Sequence, residues 1–210
     1  GVIMWPLSRF MGVLDPLLLV AAAMGVSMLG VLLGKQPTFP DAAASVYPLF
    51  TCLMPFSMFM MMHSTMYGRV PGIALITMAF CIAYGCDIFA YLGGRTFGRH
   101  KLCPSVSPKK TVEGAVSGVL GSVVFALICR AFFVHVLSTP MPGIPAAILL
   151  GVIGSVASQV GDLTASMLKR YSGIKDYGKL FPGHGGVMDR FDSVIFALIV
   201  MYCYTLVLHG

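Results

Sequence analysis

Asp162 stands inside an apolar tract and it has company. Ser155, Ser158, Gln159, Asp162, Ser166, Lys169 and Arg170 recur at spacings of three and four, which on a helix gathers them into one polar stripe. Helix–helix hydrogen bonding within a membrane accounts for the serines and glutamine at its start. It does not account for an end made of a carboxylate, a hydroxyl and two cations. The oxygen pair Asp162 and Ser166 suits a hard cation such as Mg²⁺, and Lys169 beside Arg170 suits phosphate. Asp87 is the second carboxylate in an apolar tract, on one helical face with Tyr84 and Tyr91. An ionised carboxylate at such a place costs roughly 3 kcal/mol on insertion scales, so both aspartates are functional candidates. The structural alternative is a buried ion pair, for example with Lys109 or Arg170.

Two polar segments carry the remaining candidates. In the second, Lys169 to Ser193, the run Pro182-Gly183-His184-Gly185-Gly186 cannot be regular helix, and Asp189-Arg190-Phe191-Asp192 follows it. Asp189 and Asp192 share a face if helical. Helix capping explains Asp192 well and Asp189 less well. Glycines there let backbone N–H groups approach phosphate. His184 alone is more often structural, and no second histidine stands at zinc-ligand spacing, so zinc is discounted. The first segment, Gly93 to Gly114, contains Ser107, Lys109, Lys110 and Glu113. On chemistry alone it is equally a phosphate site and a basic loop on an anionic membrane surface.

The elements that must position these residues are apolar tracts, six in number: about Pro16 to Leu33, Ala42 to Met62, Ile73 to Leu92, Ala115 to Leu137, Ile144 to Leu168 and Val194 to Leu208. All are too long for strands and lack period-two alternation, so helices are expected. Pro48 and Pro55 are expected to kink or break the second. Hydrophobic residues make up 57% and charged residues 10% of the chain, far from the roughly 25% charged of a soluble domain. An all-α polytopic transmembrane bundle is therefore expected, with about six or more spanning helices and a polar site on the cytoplasmic face. Residues 1–70 are expected to form N-terminal transmembrane helices and 71–210 a catalytic transmembrane region with two cytoplasmic polar loops. The chain starts at Gly1 rather than Met, so a preceding segment is expected. The six cysteines form no CxxC pair, which argues against a disulfide framework or zinc site.

Charge sets the orientation. The net charge is +6, which in a membrane protein reads as positive-inside bias rather than nucleic-acid binding. Arg95, Arg99, Lys101, Lys109, Lys110, Lys169, Arg170, Lys175, Lys179 and Arg190, most of the 14 basic residues, lie in the two polar segments. Two tracts separate the segments, so both fall on one side, expected to be the cytoplasm.

The run from Ser166-Met167-Leu168-Lys169-Arg170 through Lys175-Asp176 to Pro182-Gly183-His184-Gly185-Gly186-Val187-Met188-Asp189-Arg190-Phe191-Asp192 resembles the long motif of the phosphatidate cytidylyltransferases, or CDP-diacylglycerol synthases. Gly94-Arg95, Phe97-Gly98, Lys101-Leu102, Pro104, the SPKKTVEG run and Gly161-Asp162-Leu163 look like the same family, so the resemblance covers about Tyr84 to Ser193. It implies a bacterial-type, multi-pass inner-membrane enzyme that converts CTP and phosphatidic acid to CDP-diacylglycerol and pyrophosphate in phospholipid biosynthesis. It further implies Mg²⁺ dependence and a homodimer among membrane lipids, with no nucleic-acid partner. The family's metal-binding acids fall on Asp162 and Asp189. The expected catalytic set is Asp162, Asp189, Ser166, Lys169, Arg170 and Asp192. Expected phosphate contacts are Lys109, Lys110, Lys175, His184, Gly185, Gly186 and Arg190, supported by Asp87, Tyr91, Ser107, Glu113 and Asp176. Two rival functions are a CTP-dependent lipid kinase and an ion-coupled transporter with Asp87 and Asp162 on the ion path.

Overall fold

The computed structural model describes residues 16–34, 38–48, 51, 54–63, 66–67, 69–174, 177–178 and 188–209. The helices are α1 (Pro16–Leu32), α2 (Phe39–Pro48), α3 (Met54–His63), α4 (Gly72–Phe97), α5 (Val112–His135), α6 (Ile144–Tyr171) and α7 (Met188–His209). Two antiparallel hairpins join them: β1 (Met66–Tyr67) with β2 (Val70–Pro71), and β3 (Lys101–Cys103) with β4 (Ser107–Thr111). The second apolar tract is broken into α2 and α3, in keeping with its prolines, since α2 ends at Pro48 and Pro55 is the second residue of α3.

The chain divides into two compact units, 1–61 and 62–210. In the first, α1 lies against α2, and Ser27 Oγ donates to the Ser45 carbonyl at 3.3 Å. The second holds every described candidate residue.

Among the described residues three helices, α4, α5 and α6, are long and apolar enough to cross a membrane, at 26, 24 and 28 residues. Ala21–Leu32 and Phe191–Val207 are shorter apolar helical stretches. The protein is thus a mainly α-helical membrane protein.

Close packing in the second unit rests on small residues, as expected where lipid gives helices no hydrophobic reason to associate. Gly114 and Gly118 of α5 lie against the backbone of α4: a Cβ at Gly114 would meet the Ala90 carbonyl oxygen at 2.7 Å, and one at Gly118 would meet that of Cys86 at 3.1 Å. Gly151 brings α6 onto α5 near Val123, and Gly161 brings α6 onto α7, where a Cβ would meet the Asp192 carbonyl oxygen at 2.6 Å. Buried Ser122 of α5 donates to the Ile82 carbonyl of α4 at 2.9 Å, and Gln159 of α6 to the Ala115 carbonyl of α5 at 3.1 Å.

The basic segment from Gly93 to Gly114 is more regular than a loop. Helix α4 runs through its first five residues to Phe97, and β3 and β4 then fold back onto the start of α5. Thr111 is extended and caps α5, its Oγ1 accepting from Gly114 N at 3.1 Å. Glu113 accepts from the backbone N–H groups of Arg99 (3.1 Å) and His100 (3.2 Å) and from His100 Nδ1 (2.6 Å), closing the hairpin's base.

Candidate active site

The last three turns of α6 supply the floor of the site. Asp162, Ser166 and Lys169 follow one another at helical spacing along one face. Ser166 Oγ lies 3.5 Å from Asp162 Oδ1, a long hydrogen bond. The other Asp162 oxygen receives Lys110 Nζ at 2.5 Å, both side chains roughly three-quarters buried. Strand β4 thus delivers a cation to a carboxylate in the last three turns of α6.

Lys169 turns toward α7. Its Nζ is 2.9 Å from Asp189 Oδ1 and 3.8 Å from Asp192 Oδ2, and it is only 13% exposed. The second Asp189 oxygen accepts from the Tyr177 backbone N–H at 2.8 Å. The Tyr177 hydroxyl donates to the Ala165 carbonyl at 3.1 Å, and its ring lies 5.3 Å from the Lys169 ammonium. The chain reaches Tyr177 because α6 stops sharply. Gly173 adopts φ 67°, a left-handed conformation that glycine takes at little cost, and Ile174 N donates back to the Lys169 carbonyl at 3.0 Å.

Asp87 of α4 accepts from Ser193 Oγ of α7 at 3.2 Å. Asp162 lies close enough to Asp87 and Asp192 for the three carboxylates to repel one another. Beside Asp162 opens a cavity of about 430 Å³. Helix α4 lines it with Asp87, Ala90, Tyr91, Gly94 and Arg95, and the hairpin with Leu102, Lys109, Lys110 and Thr111. Helices α5 and α6 complete it with Gly114, Ala115, Gln159 and Asp162.

Two centres therefore stand side by side, Lys110–Asp162 at the cavity and Lys169–Asp189–Asp192 between α6 and α7. Asp87 and Tyr91 join the first. Arg170, one residue from Lys169 and so about 100° around the helix, points away and is exposed. Ser107 and Glu113 do not line the cavity; Glu113 instead ties down the hairpin. Lys175, Asp176, His184, Gly185 and Gly186 lie outside the described residues, as does the side chain of Arg190. Sequence reasoning missed Tyr177 and Ser193, and it named Arg95 and Gln159 without placing them at the site; the helix–helix bonding expected of Gln159 is what its bond to Ala115 shows. Arg95 was within reach, because it continues the Tyr84, Asp87, Tyr91 face by one turn. Ser193 gave no signal, standing 106 residues from Asp87.

The candidate metal-ligating atoms, the carboxylates of Asp162 and Asp189 and the Ser166 hydroxyl, are all oxygens, the chemistry of Mg²⁺ rather than of a soft metal. Four carboxylates (Asp87, Asp162, Asp189, Asp192) are matched by two paired ammonium groups, so the cluster has room for a divalent charge. Among the described residues no three acidic, histidine or cysteine groups converge as a ready-made metal cage.

The model of the cytidylyltransferase family matches residues 2–208. The chain belongs to this family. A cytidylyltransferase relative from Staphylococcus epidermidis, called phosphatidate cytidylyltransferase, is 37% identical over 185 residues, 86% of this chain and 65% of that protein. One of the same name from Haemophilus influenzae is 42% identical, over 65% of this chain and 48% of the relative. Phosphatidate cytidylyltransferase 5, chloroplastic, from Arabidopsis thaliana is 43% identical, over 66% of this chain and 33% of its own. The chain thus spans less than two thirds of the length of these curated relatives.

Proposed function

We propose that this chain carries the catalytic region of an integral membrane nucleotidyltransferase that makes CDP-diacylglycerol and pyrophosphate from CTP and phosphatidic acid. Family membership and the names of the relatives support the reaction. The single observation that carries it is the pairing of partly buried lysines with carboxylates in two neighbouring centres, Lys110 with Asp162 at the cavity and Lys169 with Asp189 between α6 and α7. Such a place can receive two phosphate compounds and hold their charge.

A phosphate oxygen of the lipid attacks the α-phosphorus of CTP, a new P–O bond forms, and the bond to the β-phosphate oxygen breaks to release pyrophosphate. The nucleophile is already ionised near neutrality, so no strong general base is needed. What the protein must do is offset repulsion between two anions. Lys109 neutralises phosphate charge at the cavity, Lys110 holds Asp162 beside it, and Lys169 holds Asp189 and Asp192 in place. Partly dry surroundings strengthen each of these interactions. Asp162 and Asp189, with Ser166 beside the first, would hold Mg²⁺. When bound, Mg²⁺ supplies positive charge that activates phosphorus and stabilises the leaving oxygens.

The wider reading has six or more spans, both basic segments on the cytoplasmic side of a bacterial inner membrane, and a homodimer. The clustering of basic residues supports the orientation. Purified full-length protein incubated with CTP, phosphatidate and Mg²⁺ is expected to yield CDP-diacylglycerol and pyrophosphate. CDP with a newly phosphorylated lipid would identify a kinase instead, and absence of any product from folded protein would overturn the proposal.

A further inference from the structure

Arg95 has no assigned role, yet it is a permanent cation at the edge of the cavity. Among the described residues it makes no ion pair; its one side-chain bond runs from Nη1 to the Tyr91 hydroxyl at 3.3 Å. Lys109 lines the same cavity, likewise without an ion pair among the described residues, whereas Lys110 is engaged by Asp162. The cavity therefore has one cation committed to a carboxylate and two available to an outside anion.

The face of α4 that carries Arg95 says which anion. Tyr84, Ile88, Tyr91, Leu92 and Arg95 fall on one side of this spanning helix, with Asp87 at its cavity edge, and all six are exposed; Ile88 and Leu92 are about half so. Tyr91 and Arg95 belong both to this apolar face and to the cavity lining. A phosphate attached to acyl chains can satisfy both sides of that seam: chains along Ile88 and Leu92, phosphate on the guanidinium, and Tyr91 at the level of the headgroup, where tyrosine is at home. A nucleotide's phosphate has no use for the apolar face.

We propose that Arg95 is the lipid-phosphate contact of the enzyme, with Tyr91 as its positioning residue, and that the anionic lipid enters across the exposed face of α4. This rests on the reaction proposed above, but the binding it describes can be measured without turnover.

The test uses full-length protein in mixed micelles. Initial rates are measured against the surface fraction of phosphatidate at saturating CTP, and against CTP at saturating phosphatidate. Arg95→Gln is expected to raise the apparent KM for phosphatidate at least about tenfold, as for loss of a charged hydrogen bond, and to leave the KM for CTP within about twofold. Arg95→Lys should restore part of the loss, and Tyr91→Phe should shift the same KM by less. A KM shift confined to CTP, an equal shift for both substrates, or a fall in kcat alone would overturn the assignment. In parallel, binding of a short-chain phosphatidate without CTP is followed by tryptophan-independent calorimetry, with phosphatidylcholine as the control. Weakening of at least about tenfold by Arg95→Gln supports the subsite even if the wild type proves inactive in the assay. Unchanged binding overturns it, whatever the protein's reaction.

Discussion

At the scale of single residues, the two ion pairs are chemically unequal. Asp162 and Lys110 are about a quarter exposed, whereas Lys169 and Asp189 are nearly sealed. Removing one partner of a sealed pair leaves an uncompensated charge, which costs about 3 kcal/mol or more. Lys169→Met is therefore expected to lower stability by about that amount, read as a drop in thermal unfolding of the solubilised protein. The double variant Lys169→Met with Asp189→Asn should recover part of it, because the nearer of the two carboxylates then carries no charge and only Asp192 is left without its cation. Asp162→Asn and Asp189→Asn each preserve shape and remove one negative charge. Each is expected to lower turnover about a hundredfold or more, the scale for loss of one transition-state stabiliser, and to weaken Mg²⁺ binding measured by titration. Near-normal rates in both variants at ordinary Mg²⁺ would remove these two residues from the mechanism.

At the scale of elements, the hairpin β3–β4 is what brings Lys109 and Lys110 to the cavity, and Glu113 is what holds the hairpin. Its carboxylate gathers two backbone N–H groups and the His100 ring at the hairpin's base. Glu113→Gln keeps part of this bonding and loses the charge. It is expected to raise the KM for at least one phosphate substrate severalfold with a smaller change in kcat, since it loosens a binding element and removes no reacting group. A large loss of kcat at unchanged KM would place Glu113 in the chemistry instead. Gly161 makes a parallel case for α6 and α7. Any Cβ there meets the carbonyl of Asp192 itself, so Gly161→Ala must push the two helices apart. Overpacking of this kind costs about 1–3 kcal/mol. It should also shift Asp192 away from Lys169, visible as a loss of both thermal stability and turnover.

At the scale of the whole molecule, α5 and α6 are each long and apolar enough to cross a membrane, and the proposed topology has both cross, so that the two polar segments share one side. Thr96→Cys and Tyr177→Cys in intact cells are expected to be labelled only from the cytoplasmic side. Labelling of the two from opposite faces would contradict the pairing of Lys110 with Asp162, since β4 and the end of α6 could not then meet.

What the sequence determined by itself is the class of the protein and the identity of its chemical groups. Long apolar tracts leave no soluble alternative, because their backbone polar groups must be satisfied within each helix. The polar stripe of α6 was legible for a related reason: helical periodicity is a local property, and seven residues at spacings of three and four show it without any partner. The break at Pro48 and Pro55 was legible because proline's effect on its own backbone is equally local. Tertiary structure alone decided the partners. Whether Asp162 would meet Lys109, Lys110 or Arg170 depended on a hairpin whose strands are too short to betray themselves by alternation. That Lys169 turns inward while Arg170 turns out depended on where α7 packs, and α7 packs there because Gly161 lets its backbone approach. Contacts such as Ser193 with Asp87 join residues 106 apart, and no periodicity within either helix encodes the other. Local rules name the groups and the faces they occupy; only close packing between helices decides which charges meet.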